Sequence, residues 1–174
     1  ECRRLERLSG KMMTLIGLYD EDRIHKEPYP VDRLVREVAD LERYHMQDSQ
    51  MELLAFSESW ECEMDVDLME SLLVNLLDNA IKASKPGSVI ELHGDKGCIW
   101  VRDFGKGIPE EEIPRITEAF YMVDKSRSRK AGGIGMGLAL CQKIAEIHRA
   151  NLVIESVVGQ GTKISVVFQE ETDE

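Results

Sequence analysis

The stretch "LLVNLLDNAIKASKPG", residues 72–87, sets two asparagines four residues apart inside a run dense in leucine. A buried amide must find partners for its oxygen and for both N–H groups, so Asn75 and Asn79 need a reason to be there. At about 100° per helical residue, with Asn75 at zero, Asn79 falls at about 40° and Lys82 at about −20°. Leu73, Leu76, Leu77 and Ala80 fall between about 100° and 200°. The polar residues therefore form one narrow seam beside a broad apolar face. Asparagine oxygens can ligate a hard cation such as magnesium, and an ammonium can neutralise phosphate. An ordinary amphipathic helix turns the same seam toward water, and the seam alone does not decide.

Three glycine-bearing stretches add to it. "VRDFGKGIP" puts Asp103 at a strand end with Gly105 and Gly107 behind it. Any turn uses such residues, but an Asp in this place can also accept a hydrogen bond from an exocyclic amine while the glycines let backbone close over a flat ring. In "GGIGMGLAL", Gly133, Gly135 and Gly137 lead into a helix, and helix-start amides favour an anion. The pattern lacks the G-K-[ST] of a Walker loop and comes too late for a Rossmann fingerprint. "GQGTK" then places Gly161 and Thr162 at a hairpin.

The elements that must position these residues are readable from periodicity. Leu5, Leu8, Met12, Leu15, Ile16 and Tyr19 mark an amphipathic helix over residues 3–20 with near-heptad spacing, suited to pairing with another helix. Pro28 and Pro30 interrupt the pattern and allow a new helix to start; Val31, Leu34, Val35, Val38 and Leu41 mark its apolar face. Short apolar runs at 51–56, 89–93 and 98–102 are predicted strands, with a long helix over 66–84 between the first two. Residues 105–137 are rich in Gly and charge with little periodicity. A helix over 137–148 and strands over 152–155 and 163–168 close the chain. The predicted fold is α/β, a two-layer sandwich: a mixed β-sheet covered on one face by about three helices, plus the N-terminal helix.

Composition limits the function. The 174 residues are 43% hydrophobic, and 33 acidic against 22 basic side chains give a net charge of -11. That balance argues against nucleic acid as a partner. The four cysteines form no Cys-x-x-Cys pair, which argues against a zinc ribbon or thioredoxin-like site. No run of 18 apolar residues and no signal peptide occurs. The opening "ECRRLERL" lacks an initiator Met and is read as part of a longer protein.

In this order the motifs resemble the ATP-binding domain of bacterial sensor histidine kinases, the Bergerat fold shared with type II topoisomerases, mismatch-repair ATPases and heat-shock chaperones. "NLLDNAIKAS" is similar to the N box, "DFGKGI" to the first glycine box, "FYMVDKSRSR" to the F box, "GGIGMGLAL" to the second glycine box and "GQGT" to the last. The resemblance runs from about Tyr29 to Phe168. It implies ATP and Mg2+ as cofactors, with Asn79 as the metal ligand, Asn75 beside the triphosphate and Lys82 on phosphate. Asp103 would hold the adenine amine, with Gly105, Gly107 and Ile108 shaping the pocket and Thr162 supporting that end. Residues 109–136 would form an ATP lid, anchored by packing of Phe120. Within it, Lys125, Arg127, Arg129 and Lys130 put four cations on a short stretch, and Lys125 and Arg127 would face the phosphates. Gly133, Gly135, Gly137 and Leu138 would meet the nucleotide at the helix start. Asn75, Lys82, Lys125 and Arg127 are the expected catalytic residues.

Three departures stand out. Met122 replaces an arginine common after the F-box "FY", Ala83 an aromatic often found after the N-box lysine, and "HRAN" a frequent "HGG", read as a strand-entry variation of little consequence. The four histidines occur as "HK", "HM", "HG" and "HR", none within the acceptor motif H-E-[LF]-[RK]-[TS]-P. Residues 1–26 are thus expected to be the C-terminal part of the dimerisation hairpin whose missing helix bears the acceptor, and 27–174 the catalytic domain. The implied partners are that hairpin and a response regulator. The parent would be a homodimer, with this domain cytoplasmic and a possible membrane anchor elsewhere. Two other readings stay open: an anti-sigma-type serine kinase of the same fold, and a non-catalytic ATP-binding module. Topoisomerase-like clamps are disfavoured because Asn75 stands where they usually hold a water-activating Glu.

Overall fold

The computed structural model describes residues 17–18, 24–123 and 135–169. Most of the expected N-terminal helix, Lys125, Arg127, Gly133 and the remaining lid cations lie outside them. The described elements follow in the order β1 (Glu27–Pro30), α1 (Val31–Asp48), β2 (Glu52–Ser57), β3 (Glu61–Met64), α2 (Val66–Ala83), β4 (Val89–Asp95), β5 (Cys98–Asp103), a 3-10 helix (Glu110–Arg115), α3 (Gly137–Ile147), β6 (Ala150–Val157) and β7 (Gly161–Phe168).

Five strands make one sheet in the order β2-β4-β5-β7-β6. β2 pairs parallel to β4, and the other neighbours are antiparallel, so the sheet is mixed as expected. Because side chains alternate across a strand, Ile90 and Leu92, Ile99 and Val101, and Ile164 and Val166 all reach the same face. There they are buried with Leu34, Val38, Leu72, Leu76, Leu140 and Ile144 from the three helices. The opposite face carries a row in register across three strands, Phe56, His93 and Trp100. His93 stacks on Trp100 with ring centroids 4.4 Å apart, and Phe56 tilts against His93 at 5.9 Å.

Two short elements were not anticipated. β1 and β3 pair antiparallel, with Tyr29 opposite Cys62. A two-stranded ribbon with only one neighbour per strand tolerates prolines that a central strand would reject, so Pro28 and Pro30 sit in β1. In α1 the apolar stripe is rotated from the expected one. Glu42 is buried and Leu41 is 56% exposed. Taking Val31 as zero, Glu42 falls at about 20° and Leu41 at about 280°, so Glu42 lies on the core side. It pairs with His45 Nδ1 at 2.9 Å.

The far ends of α2 and α3 are latched together. Asp65 caps α2, its Oδ1 accepting from the Leu68 amide at 3.1 Å, a cap worth about 1 kcal/mol. Its Oδ2 accepts from the His25 amide at 3.0 Å. The Asp65 amide donates to His148 Nε2 at 2.9 Å, and an amide can only donate, so the imidazole proton sits on Nδ1. Nδ1 donates to Ile144 O at 2.7 Å, and Lys26 Nζ to Ile147 O. His148 therefore ties the end of α3 to the start of α2. Arg149 follows at φ 52, a left-handed conformation that suits the glycine frequent there.

Candidate functional site

The site has two ends joined by α2. At the first, Asp103 terminates β5 opposite Thr162 of β7, and both are buried. The Asp103 carboxylate accepts from the amides of Gly105, at 2.8 Å, and Thr162. Burial nevertheless pushes its pKa above the ordinary carboxylate value, with those two amide bonds pulling the other way. The chain then folds tightly back. A Cβ on Gly105 would stand 2.3 Å from Ala83 O, and the Lys106 amide donates to that same carbonyl at 3.2 Å. Gly107, at φ 68, would place a Cβ 2.1 Å from Val157 O, and Gly161, at φ 115, one 2.0 Å from Asp103 O. Both combine a backbone conformation that disfavours side chains with space that excludes them. The Ile108 amide donates to Ser156 Oγ at 2.8 Å, and Ser156 Oγ lies 2.8 Å from Thr162 Oγ1.

The second end lies along α2 and at the start of α3. Asn75 is buried, its Nδ2 donating to Ser71 O at 2.7 Å. A Cβ on Gly137 would stand 3.4 Å from Asn75 Oδ1 and 3.8 Å from both polar atoms of the Asn79 amide. Asn79 Nδ2 is buried with no hydrogen-bond partner among the described residues. An orphaned buried amide is rare in a settled core. Its O and N can exchange places by a side-chain flip, so Asn79 can turn either an acceptor or a donor to a ligand. Among the described residues α3 begins at Gly137 with no side-chain cap, so its first-turn amides look outward for partners. Leu138 packs at the margin of the core, leaving its backbone as what it can offer.

Lys82 shares the seam but is engaged: its Nζ is held by the Asp78 carboxylate one turn earlier. Among the described residues no three His, Cys, Asp or Glu side chains converge on a metal position. A hard cation here would be held chiefly by a ligand's own oxygens plus one asparagine.

The expected lid is described at its two ends. The 3-10 helix opens it; Tyr121 bonds Glu112 through its hydroxyl, and the Arg115 guanidinium lies 4.2 Å over the Tyr121 ring. Phe120, expected to anchor the lid by packing, is 56% exposed. Its backbone does the joining instead, the amide donating to Gly135 O at 2.8 Å. Ser156 was not foreseen. In an alternating strand a serine looks like surface, and its partner Ile108 lies 48 residues earlier.

A glycine-rich loop after a buried strand-end aspartate, set against an asparagine-bearing helix, is the arrangement of one ATPase class. The model of the histidine kinase-, DNA gyrase B- and HSP90-like ATPases matches residues 64–172, and the chain belongs to this family. Within it the chain is the ATP-binding domain of a sensor histidine kinase. It is 30% identical over 175 residues to the sensor protein kinase WalK of Staphylococcus saprophyticus, covering 97% of this chain and 29% of that protein. It is 41% identical over 116 residues to the sensor histidine kinase YkoH of Bacillus subtilis, covering 66% of this chain and 26% of that one. The chain thus spans less than a third of these relatives. The nucleotide-free catalytic domain of the histidine kinase ThkA has the same fold, with a TM-score of 0.69 at 22% identity over 84% of this chain and 97% of that structure.

Proposed function

We propose that this chain binds Mg-ATP between its two ends and supplies the γ-phosphate to a histidine on a dimerisation helix, outside the four histidines of this sequence. The observation that carries the reading is the orphaned Asn79 amide beside Gly137, facing a helix start that lacks a cap. A polar cradle of this kind fits phosphate oxygens and one ligand position on a cation. At the other end Asp103 accepts from the adenine amine, with Gly105, Gly107, Ile108 and Thr162 around the ring. Gly135, Gly137 and Leu138 meet the phosphates through backbone.

A bound magnesium ion supplies charge neutralisation at the phosphate oxygens. The chain's own contribution is positioning. Asn79 offers its amide oxygen to the cation, and Asn75, itself oriented by Ser71, flanks the phosphates. Lys82 reaches phosphate by exchanging Asp78 for it, and Lys125, Arg127 and Gly133 complete the cradle from the lid. Such transfer is mostly orientation plus electrostatics, so a domain separated from its acceptor binds nucleotide without consuming it.

On this reading residues 27–174 are the catalytic domain and 1–26 the end of the dimerisation hairpin. The parent is a homodimer passing phosphate to a response regulator. No described helix is long and apolar enough to cross a membrane. By the resemblance to sensor kinases, this domain lies on the cytoplasmic side of its parent. A thermal melt with and without Mg-ADP tests the core of the proposal. At about 100 times the dissociation constant, ligand adds about 2.7 kcal/mol of stability, and Asn79→Ala should lose the magnesium-dependent part. A wild-type melt unmoved by saturating nucleotide would refute it.

A further inference from the structure

Ser156, Thr162 and Asp103 form one cross-strand row, since Ser156 is opposite Thr162 and Thr162 opposite Asp103. Ser156 Oγ makes three contacts: it accepts from the Ile108 amide at 2.8 Å, lies 2.8 Å from Thr162 Oγ1, and reaches Gly161 O at 3.1 Å. Two hydroxyl protons serve this cluster, and their placement is limited. If the Ser156 proton goes to Gly161 O, the contact between the hydroxyls needs the Thr162 proton, and Thr162 is left as an acceptor. If the Ser156 proton goes to Thr162 Oγ1, the Thr162 proton is released toward the pocket. Both arrangements keep the 2.8 Å bond, which has the usual O–H···O length, and they differ by the longer bond to Gly161. Releasing the Thr162 proton therefore sacrifices only the weaker contact.

We propose that Ser156 is a positioning residue for the nucleobase: it holds the Thr162 hydroxyl in place and hands it a hydrogen bond, so that Thr162 can donate to a ring nitrogen beside the amine taken by Asp103. This rests on the nucleotide reading above and adds to it a residue that touches no ligand. Adenine carries a ring nitrogen acceptor next to its exocyclic amine donor, which matches a hydroxyl donor set beside a carboxylate acceptor. Ile108 shares the arrangement, because its amide bond fixes the Ser156 side chain from the loop side.

The test is a double-mutant cycle. Mg-ADP affinity is measured by calorimetry for the wild type, Ser156→Ala, Thr162→Val, the double variant and Ser156→Thr, each with a ligand-free melt. Each single removal should weaken ADP roughly 3- to 10-fold. The double variant should be no weaker than either single one, because Ser156 acts through Thr162. Ser156→Thr, which keeps the hydroxyl, should restore binding. Additive losses, or a Ser156→Ala loss that Ser156→Thr does not rescue, would overturn the proposal and leave Ser156 a prop for the loop. If Ser156→Ala does not fold, Thr162→Val against Ser156→Thr still decides: full ADP affinity in Thr162→Val overturns it. A wild type that binds no ADP removes the nucleotide reading itself, an outcome distinct from all of these.

Discussion

The two ends of the site are built on opposite principles. Around Asp103 every close approach is already filled: backbone amides on the carboxylate, a hydroxyl on a hydroxyl, glycine Cα atoms against carbonyls. Around Asn79, among the described residues, a buried amide has no partner and a helix starts without a cap. One end is preorganised; the other is left incomplete for a ligand to finish. The difference teaches where stability and binding separate. Added bulk at the filled end should strike the fold, added bulk at the open end only the ligand, and exchanged polar groups at either end should strike the ligand.

Gly161→Ala should have the largest effect. Its Cβ would meet Asp103 O at 2.0 Å in a φ 115 backbone, and we expect a loss of about 3 kcal/mol or more in urea unfolding. Asp103→Asn sharpens the contrast from the other side. The folded pKa of Asp103 is raised, so the native state binds its proton more tightly than the unfolded chain does. Its contribution is therefore full below the unfolded value of about 3.9 and is lost as pH rises through the folded value. At neutral pH the buried charge is a cost. Asp103→Asn should raise the ligand-free melting temperature at pH 7 while abolishing the shift given by Mg-ADP.

Gly137→Ala tests the open end. The added methyl stands 3.4 Å from Asn75 Oδ1, and alanine favours a helix by up to about 1 kcal/mol over glycine. Ligand-free stability should hold or rise, while ADP affinity falls about tenfold, about 1.4 kcal/mol. The smallest effect belongs to the latch. Burial lowers the His148 pKa against the pull of the Ile144 carbonyl, so the unfolded chain takes up its proton first. The stability contributed is complete above the unfolded value of about 6.5 and declines as pH falls from there toward the folded value. Urea melts between pH 8 and 5.5 should show stability falling toward the acid side, and His148→Gln should flatten the fall.

The asparagine seam, the strand-end aspartate and the strands of the mixed sheet were legible because each repeats a period or a motif within a short window. β1 and β3 were not, since four-residue strands with proline and glutamate carry no periodic signal and pair across the whole of α1 and β2. Leu41 and Glu42 exchanged places because hydropathy alone assigns a leucine at a stripe's edge to the core and a glutamate at its centre to the surface. Lys82 reads as a free cation until Asp78, one turn away, is seen holding it. Ser156 needed the folded loop to become visible at all.

The aromatic row on the uncovered face of the sheet has a spectroscopic consequence. The chain has two tryptophans, Trp60 and Trp100. Trp100 stacks on His93 on the side of the sheet away from the helices, and Trp60 packs edge-on against Phe168 at 5.7 Å. Their described side-chain contacts, with His93, Asp95, Lys163 and Phe168, involve none of the residues named at either end of the site. Tryptophan fluorescence should therefore follow unfolding and stay unresponsive to nucleotide. An optical reporter of binding has to be introduced, and Phe104, exposed directly after Asp103, is the position where a tryptophan would see it.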